Sequence, residues 1–445
     1  MRPDMPEPAA PSFRSTFRLD PSRYLRPAVA AVCVVALAIV VAKYLDKVAK
    51  PSRLGDTTRT AFLRWRGQVH DLFTGVDVYR AYQYPNPPVM AIVLRPFMAL
   101  PPVTGAVVWL LVKAGLTVLT VFWGIRIVRG DGPPIPDPAV AIAFFLALHP
   151  ILGDLAHGNV NLFIGFLVFA ALELFRRRAD ATAGLVLALA VACKVTPALF
   201  LPYFVWKRAW RALAGVAIGL LLWLVVVPGA MLGWGHNFDL LHSWYDEMVR
   251  PFAVEGKVTS EHANQSIPGV TVRLLTSEPS FLTYGDDGSG PAEAAAFHNF
   301  TDIGPTNANR LVKGCMVLFG LVVVWLCRWP THKPNITRAG PAFAAECSLI
   351  LLGMLLFSER TWKHHATTLF LPMLVLTASV WSADTPRNWK RAFVGVLAAA
   401  AALMVVPGLV GGDFQNLSMV YGSYGLAFQL LAAGVVGVLI SRRSA

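Results

Sequence analysis

The sequence predicts an all-α polytopic membrane protein, and three observations carry that prediction. Of its 445 residues, 55% are hydrophobic and only 15% charged, against about 45–50% and about 25% in a soluble domain. The mean hydropathy is +0.54. The excess apolar content falls in runs of roughly 18 to 22 residues, the length that crosses about 30 Å of hydrocarbon.

Residues 1–26 are rich in Pro and Arg and read as a disordered cytoplasmic tail. The apolar run after them is too long for a signal-peptide core and lacks a small-residue cleavage site, so it reads as an uncleaved anchor. Candidate spans follow at 28–46, 104–126, 138–151, 160–175, 181–194, 196–206, 211–230, 309–328, 342–357, 364–381, 391–409 and 421–441. Several are short, and the pair meeting at Lys194 and Pro197 reads as a broken or re-entrant hairpin. The expected count is about 10 to 13 helices. Residues 27–445 form one transmembrane domain in this reading, with no soluble domain, internal repeat or heptad pattern.

Lys and Arg in short loops mark the cytoplasmic side. With the N-terminus inside, the inner loops hold Arg126 and Arg129, Arg176–Arg178, Lys207 to Arg211, Arg328 to Arg338, Arg387 to Arg391, and the C-terminal Arg442 and Arg443. The outer segments are longer or nearly free of both residues; the largest are 50–102 and 231–308. The alternation holds only if Val89–Leu100 lies on the membrane as an interfacial helix and does not cross it. Both termini are then cytoplasmic. Within the first outer loop, Asp56 is the expected N-cap of a helix running to about Phe73 and ending at Gly75. A Tyr/Pro-rich turn follows. The stretch Tyr284–Gly290 reads as a flexible tip of the second loop.

The net charge of +13 sits at the ends of apolar runs, where it orients helices, so nucleic acid is not an expected partner. The five cysteines have no paired spacing, so neither a disulfide framework nor a metal site is indicated. The adjacent His364 and His365 would point about 100° apart on a helix and do not share one ion. No metal and no cofactor is expected.

The unusual polar groups collect on the outer side. They are Asp56, Asp71, Asp77 and Tyr79; His149, His157, Asn159 and Asn161; Lys194; Asn264, Gln265 and Arg273; and Ser358 to His365. Ionisable groups at membrane depth cost about 2.5–3.5 kcal/mol on insertion scales and usually mark function. Each also has a plain structural reading: Asp56 as a cap, Asp77 as a turn residue, Lys194 as a snorkelling side chain. Lys113 and Glu346 lie inside predicted spans with no evident partner. Together the groups suit transfer from a phosphate-linked lipid. A carboxylate can take the proton of an attacking hydroxyl. His364, His365, Lys363, Arg360, Lys194 and Arg273 can neutralise a departing phosphate. His157, Asn159, Asn161, Asn264, Gln265, Tyr79 and Trp362 suit sugar or acceptor contacts. Neither a strand followed by G-x-G-x-x-G nor a Walker loop is present, so a nucleotide donor is unsupported.

These residues resemble glycosyltransferase family 87, membrane enzymes of the GT-C type that use polyprenyl-phosphate sugars. The family's G-Q-x-N is similar to Gly158-Asn159-Val160-Asn161, with Asn159 for the usual Gln. Its K-x-T-P is matched by Lys194-Val195-Thr196-Pro197. N-Q-S-x-x-G-x-x-x-R is matched by Asn264-Gln265-Ser266, Gly269 and Arg273. S-P-x-x-W-x-H-H is matched by Ser358, Trp362, His364 and His365, with Glu359 where proline is common. G-x-D-P-Y and Y-P-P resemble Gly75-Val76-Asp77-Val78-Tyr79 and Tyr84-Pro85-Asn86-Pro87. One spacing departs. The family's catalytic aspartate would fall near Ala61, and Asp56 is the nearest carboxylate, with Asp77 in reserve.

The resemblance implies a GT-C-type helical bundle in the plasma membrane with interfacial helices in its first outer loop. It implies an inverting transferase with an extracytoplasmic site and a polyprenyl-phosphate sugar donor. Mannose stands ahead of arabinofuranose as the sugar, and the acceptor is a glycolipid or an envelope glycan. The rival class, a lipid transporter or flippase, predicts repeated halves and polar groups at both ends of the membrane.

Overall fold

Residues 21–49, 60–283, 293–327 and 338–442 are described by a computed structural model, and nearly all of them are helical. Asp56, the Tyr284–Gly290 tip and residues 1–20 lie outside the described residues. The chain opens with α1 (Pro21–Ala49), then three short helices, α2 (Ala61–Phe73), α3 (Val78–Tyr82) and α4 (Pro88–Met98). Next come α5 (Pro102–Arg129), α6 (Asp137–His157), α7 (Asn161–Arg176) and α8 (Asp180–Cys193). A 3₁₀ turn (Thr196–Leu199) leads into α9 (Phe200–Trp206), then α10 (Trp210–Leu220), which runs through a π-helical stretch into α11 (Val227–Leu232). The large loop carries α12 (Trp234–Trp244), α13 (Arg250–Ala253), α14 (Ile267–Leu275) and a hairpin of β1 (Phe281–Thr283) and β2 (Glu293–Ala296). The remainder is α15 (Gly304–Leu326), α16 (Gly340–Leu356), a 3₁₀ turn (Lys363–Leu369), α17 (Phe370–Trp381), α18 (Arg387–Val410), α19 (Gly412–Val420) and α20 (Ser423–Ser441).

Among the described residues, seven helices are long and apolar enough to cross a membrane: those beginning at Leu25, Pro102, Asp137, Trp210, Gly304, Arg387 and Ser423. The protein is a multi-pass membrane protein. Proline sets many of the boundaries, standing in the first turn of α4, α5, α6, α14, α15 and α16, where its missing N–H would have no intrahelical partner. The central helix α17 packs against α5, α6, α16, α18 and α20. Outer helices keep apolar side chains open, such as Val34 on α1 and Val317 and Leu321 on α15, as lipid contact requires. Helices α8 and α10 approach so closely that a Cβ on Gly184 would lie 2.0 Å from the Ala212 carbonyl oxygen, and one on Gly215 would lie 2.1 Å from that of Ala181.

The segment between α1 and α5 differs in one respect from its expected plan. The N-cap of α2 is Thr60, whose hydroxyl accepts from the Leu63 N–H, and not Asp56. Hydrophobic positions decide this: Phe62, Val69 and Leu72 are buried, and the helix begins where its apolar face does. At 11 residues, α4 is too short to cross about 30 Å at about 1.5 Å per residue. It buries Val89, Met90, Ala91 and Leu94 and packs on α2, α5 and α8.

The loops with most arginine meet at one end of the bundle. Glu173 accepts from Arg176 at 2.7 Å and Arg177 at 2.8 Å, and lies 3.4 Å from Arg126. Asp180 pairs with Arg338. Nearby, Glu346 receives Lys207 at 2.8 Å and the Tyr203 hydroxyl at 2.7 Å.

Candidate active site

The turn between α6 and α7 is the hub of the opposite end. Gly158 closes α6 in the left-handed region, φ +64. A Cβ there would lie 2.9 Å from the Tyr44 Oη and 3.3 Å from the Cβ atoms of Phe62 and Thr60. Glycine is therefore required by both backbone and space. The end of α1 and the start of α2 are thereby seated beside His157 and Asn159.

His157 stacks on His364, with ring centroids 4.3 Å apart and planes 26° from parallel. Asn159 links the same ring. Its Oδ1 accepts the Val160 N–H at 2.7 Å, which turns its Nδ2 toward His364 Nε2 at 3.3 Å. An amide N–H needs an acceptor, so Nε2 carries the lone pair and the ring proton of His364 sits on Nδ1. His365 lies edge-on to His364 at 4.8 Å and stacks over Trp362 at 6.2 Å. The Trp362 Nε1 is buried without a hydrogen-bond partner among the described residues.

Asn161, at the start of α7, donates through Nδ2 to Asp154 Oδ1 at 2.9 Å and accepts the Lys194 ammonium on Oδ1 at 2.6 Å. Lys194 stands at the expected break: α8 ends at Cys193, the Lys194 backbone is extended, and Pro197 opens the next turn. A cleft beside it runs between α7, α16 and the turn before α17. Its lining combines Lys194, Arg360, His365 and Asn161 with Ile164, Val168, Met354 and Leu355, and with Thr367 and Thr368 beside Gly165. Arg360 is exposed, and its guanidinium has no hydrogen bond or ion pair among the described residues. Lys363 is half-buried and likewise without one. Glu359 sits beside Arg360 and Lys194, and its burial raises the carboxyl to about 7 against the pull of both cations.

Other expected site residues are held in hydrogen bonds away from the cleft. Arg273 is fully buried and makes five hydrogen bonds to backbone carbonyls: Val420 at 2.8 Å, Ser260 at 3.1 Å, Glu261 at 2.8 Å, Asn264 at 3.1 Å and Met419 at 3.2 Å. Asn264 donates to the Glu359 and Thr259 carbonyls and accepts from the Thr361 N–H at 2.9 Å. Gln265 donates to His262 and Met419 and accepts from the Tyr424 N–H. These three clamp the large loop to the 358–362 loop and to the start of α20, and none lines the cleft. Tyr79 is buried, its hydroxyl donating to the Asn86 carbonyl at 3.0 Å. Asp77 caps α3, accepting from the Tyr79 and Arg80 N–H groups, and takes the Ser243 hydroxyl at 2.5 Å.

The sequence reading missed Asp154 and left Lys113 and Glu346 without partners. Lys113 and Asp154 form a pair with both side chains fully buried, 3.1 Å apart. The available signal was a carboxylate within the apolar helix that also carries His149 and His157.

Comparison with known proteins bears on this arrangement. Over 353 residues the chain is 28% identical to the polyprenol-phosphate-mannose-dependent α-(1-2)-phosphatidylinositol mannoside mannosyltransferase of Mycolicibacterium smegmatis, covering 74% of this chain and 68% of that protein. Identity to the protein of the same description from Mycobacterium tuberculosis is 26%, covering 73% and 75%. Among solved structures, ArnT from Cupriavidus metallidurans bound to undecaprenyl phosphate aligns over 93% of this chain and 78% of its own, at 11% identity and a TM-score of 0.40. Residues 84–358 match glycosyltransferase family 87. That stretch exceeds half of the chain and holds the Gly158 turn, Lys194 and the Asn264–Arg273 clamp: the chain belongs to glycosyltransferase family 87.

Proposed function

We propose that this protein transfers mannose from polyprenyl-phosphate mannose to a phosphatidylinositol-mannoside glycolipid, at the extracytoplasmic face and with inversion. The observation that carries the reading is the mixed lining of the cleft, where Lys194, Arg360 and His365 stand with Ile164, Val168, Met354 and Leu355. A phosphate with a polyprenyl tail calls for both kinds of lining. The donor and acceptor are those in the names of the mycobacterial relatives. The arginine cluster around Glu173 at the other end of the bundle supports the sidedness, since short basic loops favour the cytoplasmic side.

In the proposed step the acceptor hydroxyl oxygen attacks the anomeric carbon from the side opposite the phosphate. The new C–O bond forms as the bond to the phosphate oxygen breaks, and polyprenyl phosphate leaves with the electron pair. A single displacement inverts the anomeric centre. The hydroxyl proton passes to a carboxylate base, assigned to Asp56. The described residues on either side of that segment, Tyr44 of α1 and Thr60 at the start of α2, both pack on Gly158, next to His157. Asp77 is the reserve, and its role as cap and partner of Ser243 weighs against it. The charge gained by the leaving phosphate is met by Lys194, Arg360, Lys363, His365 and the Nδ1–H of His364. His157, Asn159 and Trp362 line the approach to the sugar. In this reading Asn264, Gln265 and Arg273 hold the loops and touch neither substrate.

The test is transfer by purified protein from synthetic polyprenyl-phosphate mannose to phosphatidylinositol mannoside. Wild type should transfer, GDP-mannose should not serve, and Asp56→Asn should lower kcat by about 10²-fold or more. Undiminished transfer by Asp56→Asn would remove that residue from the mechanism.

A further inference from the structure

We propose that Asp154, held by Lys113, is a positioning residue that aims the Lys194 ammonium into the cleft through Asn161. The inference rests on the reading of that cleft as the donor-phosphate site.

The geometry is a one-way relay. Lys113 has three ammonium protons and three acceptors: the Asp154 carbonyl at 2.9 Å, Asp154 Oδ2 at 3.1 Å and the Asn159 carbonyl at 2.8 Å. Asp154 Oδ2 also accepts the Leu162 N–H at 3.4 Å, and its Oδ1 accepts Asn161 Nδ2 at 2.9 Å. A carboxylate only accepts, so it fixes which end of the Asn161 amide faces it. The other end, Oδ1, is thereby presented to Lys194 Nζ at 2.6 Å. That is the one hydrogen bond of the Lys194 ammonium among the described residues, and it leaves two of its protons for the cleft that the side chain lines.

Stability alone is a poor reason for this pair. Both members are fully buried, and replacing a buried ion pair by apolar residues of similar size is often neutral or stabilising. What an apolar pair could not do is orient Asn161. Nor could it offset the charge of Lys113, which would otherwise repel a second ammonium nearby.

The experiment is a double-mutant cycle on the purified full chain, read as KM and kcat for polyprenyl-phosphate mannose. Lys194→Gln should raise donor KM by about tenfold or more, the scale of a lost charge-assisted hydrogen bond. Asp154→Asn should raise donor KM in the same direction. The Lys194→Gln/Asp154→Asn double variant should be no worse than Lys194→Gln alone, because Asp154 acts through Lys194. Effects that multiply would overturn the proposal while leaving the cleft assignment standing. An unchanged donor KM in Lys194→Gln would overturn both. Should Asp154→Asn fail to fold, Asn161→Leu keeps the Lys113–Asp154 pair and takes its place in the cycle. Its effect should likewise vanish in the Lys194→Gln background, and multiplication there would again overturn the proposal.

Discussion

Glu359 lies in the loop between α16 and the 3₁₀ turn that precedes α17, beside Arg360 and Lys194. Its carboxyl is raised from the ordinary 4.5 to about 7 by burial, with Arg360 and Lys194 opposing the shift. A carboxylate raised in the folded state holds its proton more tightly folded than unfolded. Its contribution to stability is therefore fully present below about pH 4.5 and is lost as pH rises through about 7. Glu359→Gln should abolish that component, so its melting temperature in detergent should fall less than wild type between pH 5 and pH 8. Parallel pH profiles for the two proteins would show that Glu359 does not titrate in this window. Most residue-level roles could not be read from the sequence. Lys113 and Asp154 are 41 positions apart and Lys207 and Glu346 are 139 apart, so each charge was visible but its partner was not. Arg273 was recognisable as an unusual arginine in a polar motif. The five carbonyls that occupy it come from chain turns that no local pattern connects.

At the scale of elements, the large loop is fixed by that guanidinium. Arg273 on α14 joins Ser260, Glu261 and Asn264 of the loop to Met419 and Val420 at the end of α19. Asn264 and Thr361 extend the clamp to the loop before His364. Arg273→Met would strand five buried acceptors at about 1 kcal/mol or more each. The expected result is a lower melting temperature together with faster proteolysis between residues 250 and 303. A variant with wild-type proteolysis would mean that the loop is held by other contacts. Helix boundaries were far more legible than loop structure. The apolar runs at 104–126, 342–357 and 391–409 became α5, α16 and α18, because a continuous apolar segment flanked by Pro or Arg has one stable arrangement in lipid. The start of α2 was misplaced by four residues, since Thr60 and Asp56 are both good caps and only burial of the apolar face chooses between them.

For the whole molecule, charge pattern and motif order together anticipated the architecture. Arg126, Arg176, Arg177 and Arg338 gather at one end, and the Gly158 turn, Lys194 and the His364–His365 pair gather at the other. A transporter would need polar groups and repeated halves about the midplane; here Lys194, Arg360 and His365 line one cleft together. The central claim is that this cleft holds the polyprenyl-phosphate donor, with its phosphate on Lys194, Arg360 and His365 and its tail along α7 and α16. The most direct measurement is photolabelling of the purified protein with a polyprenyl phosphate carrying a diazirine in its first isoprene units, followed by mass spectrometry. Adducts are expected on the Ile164–Val168 and Met354–Leu355 faces, competed by unlabelled polyprenyl-phosphate mannose and reduced in Lys194→Gln. Competable labelling confined to other helices would contradict it.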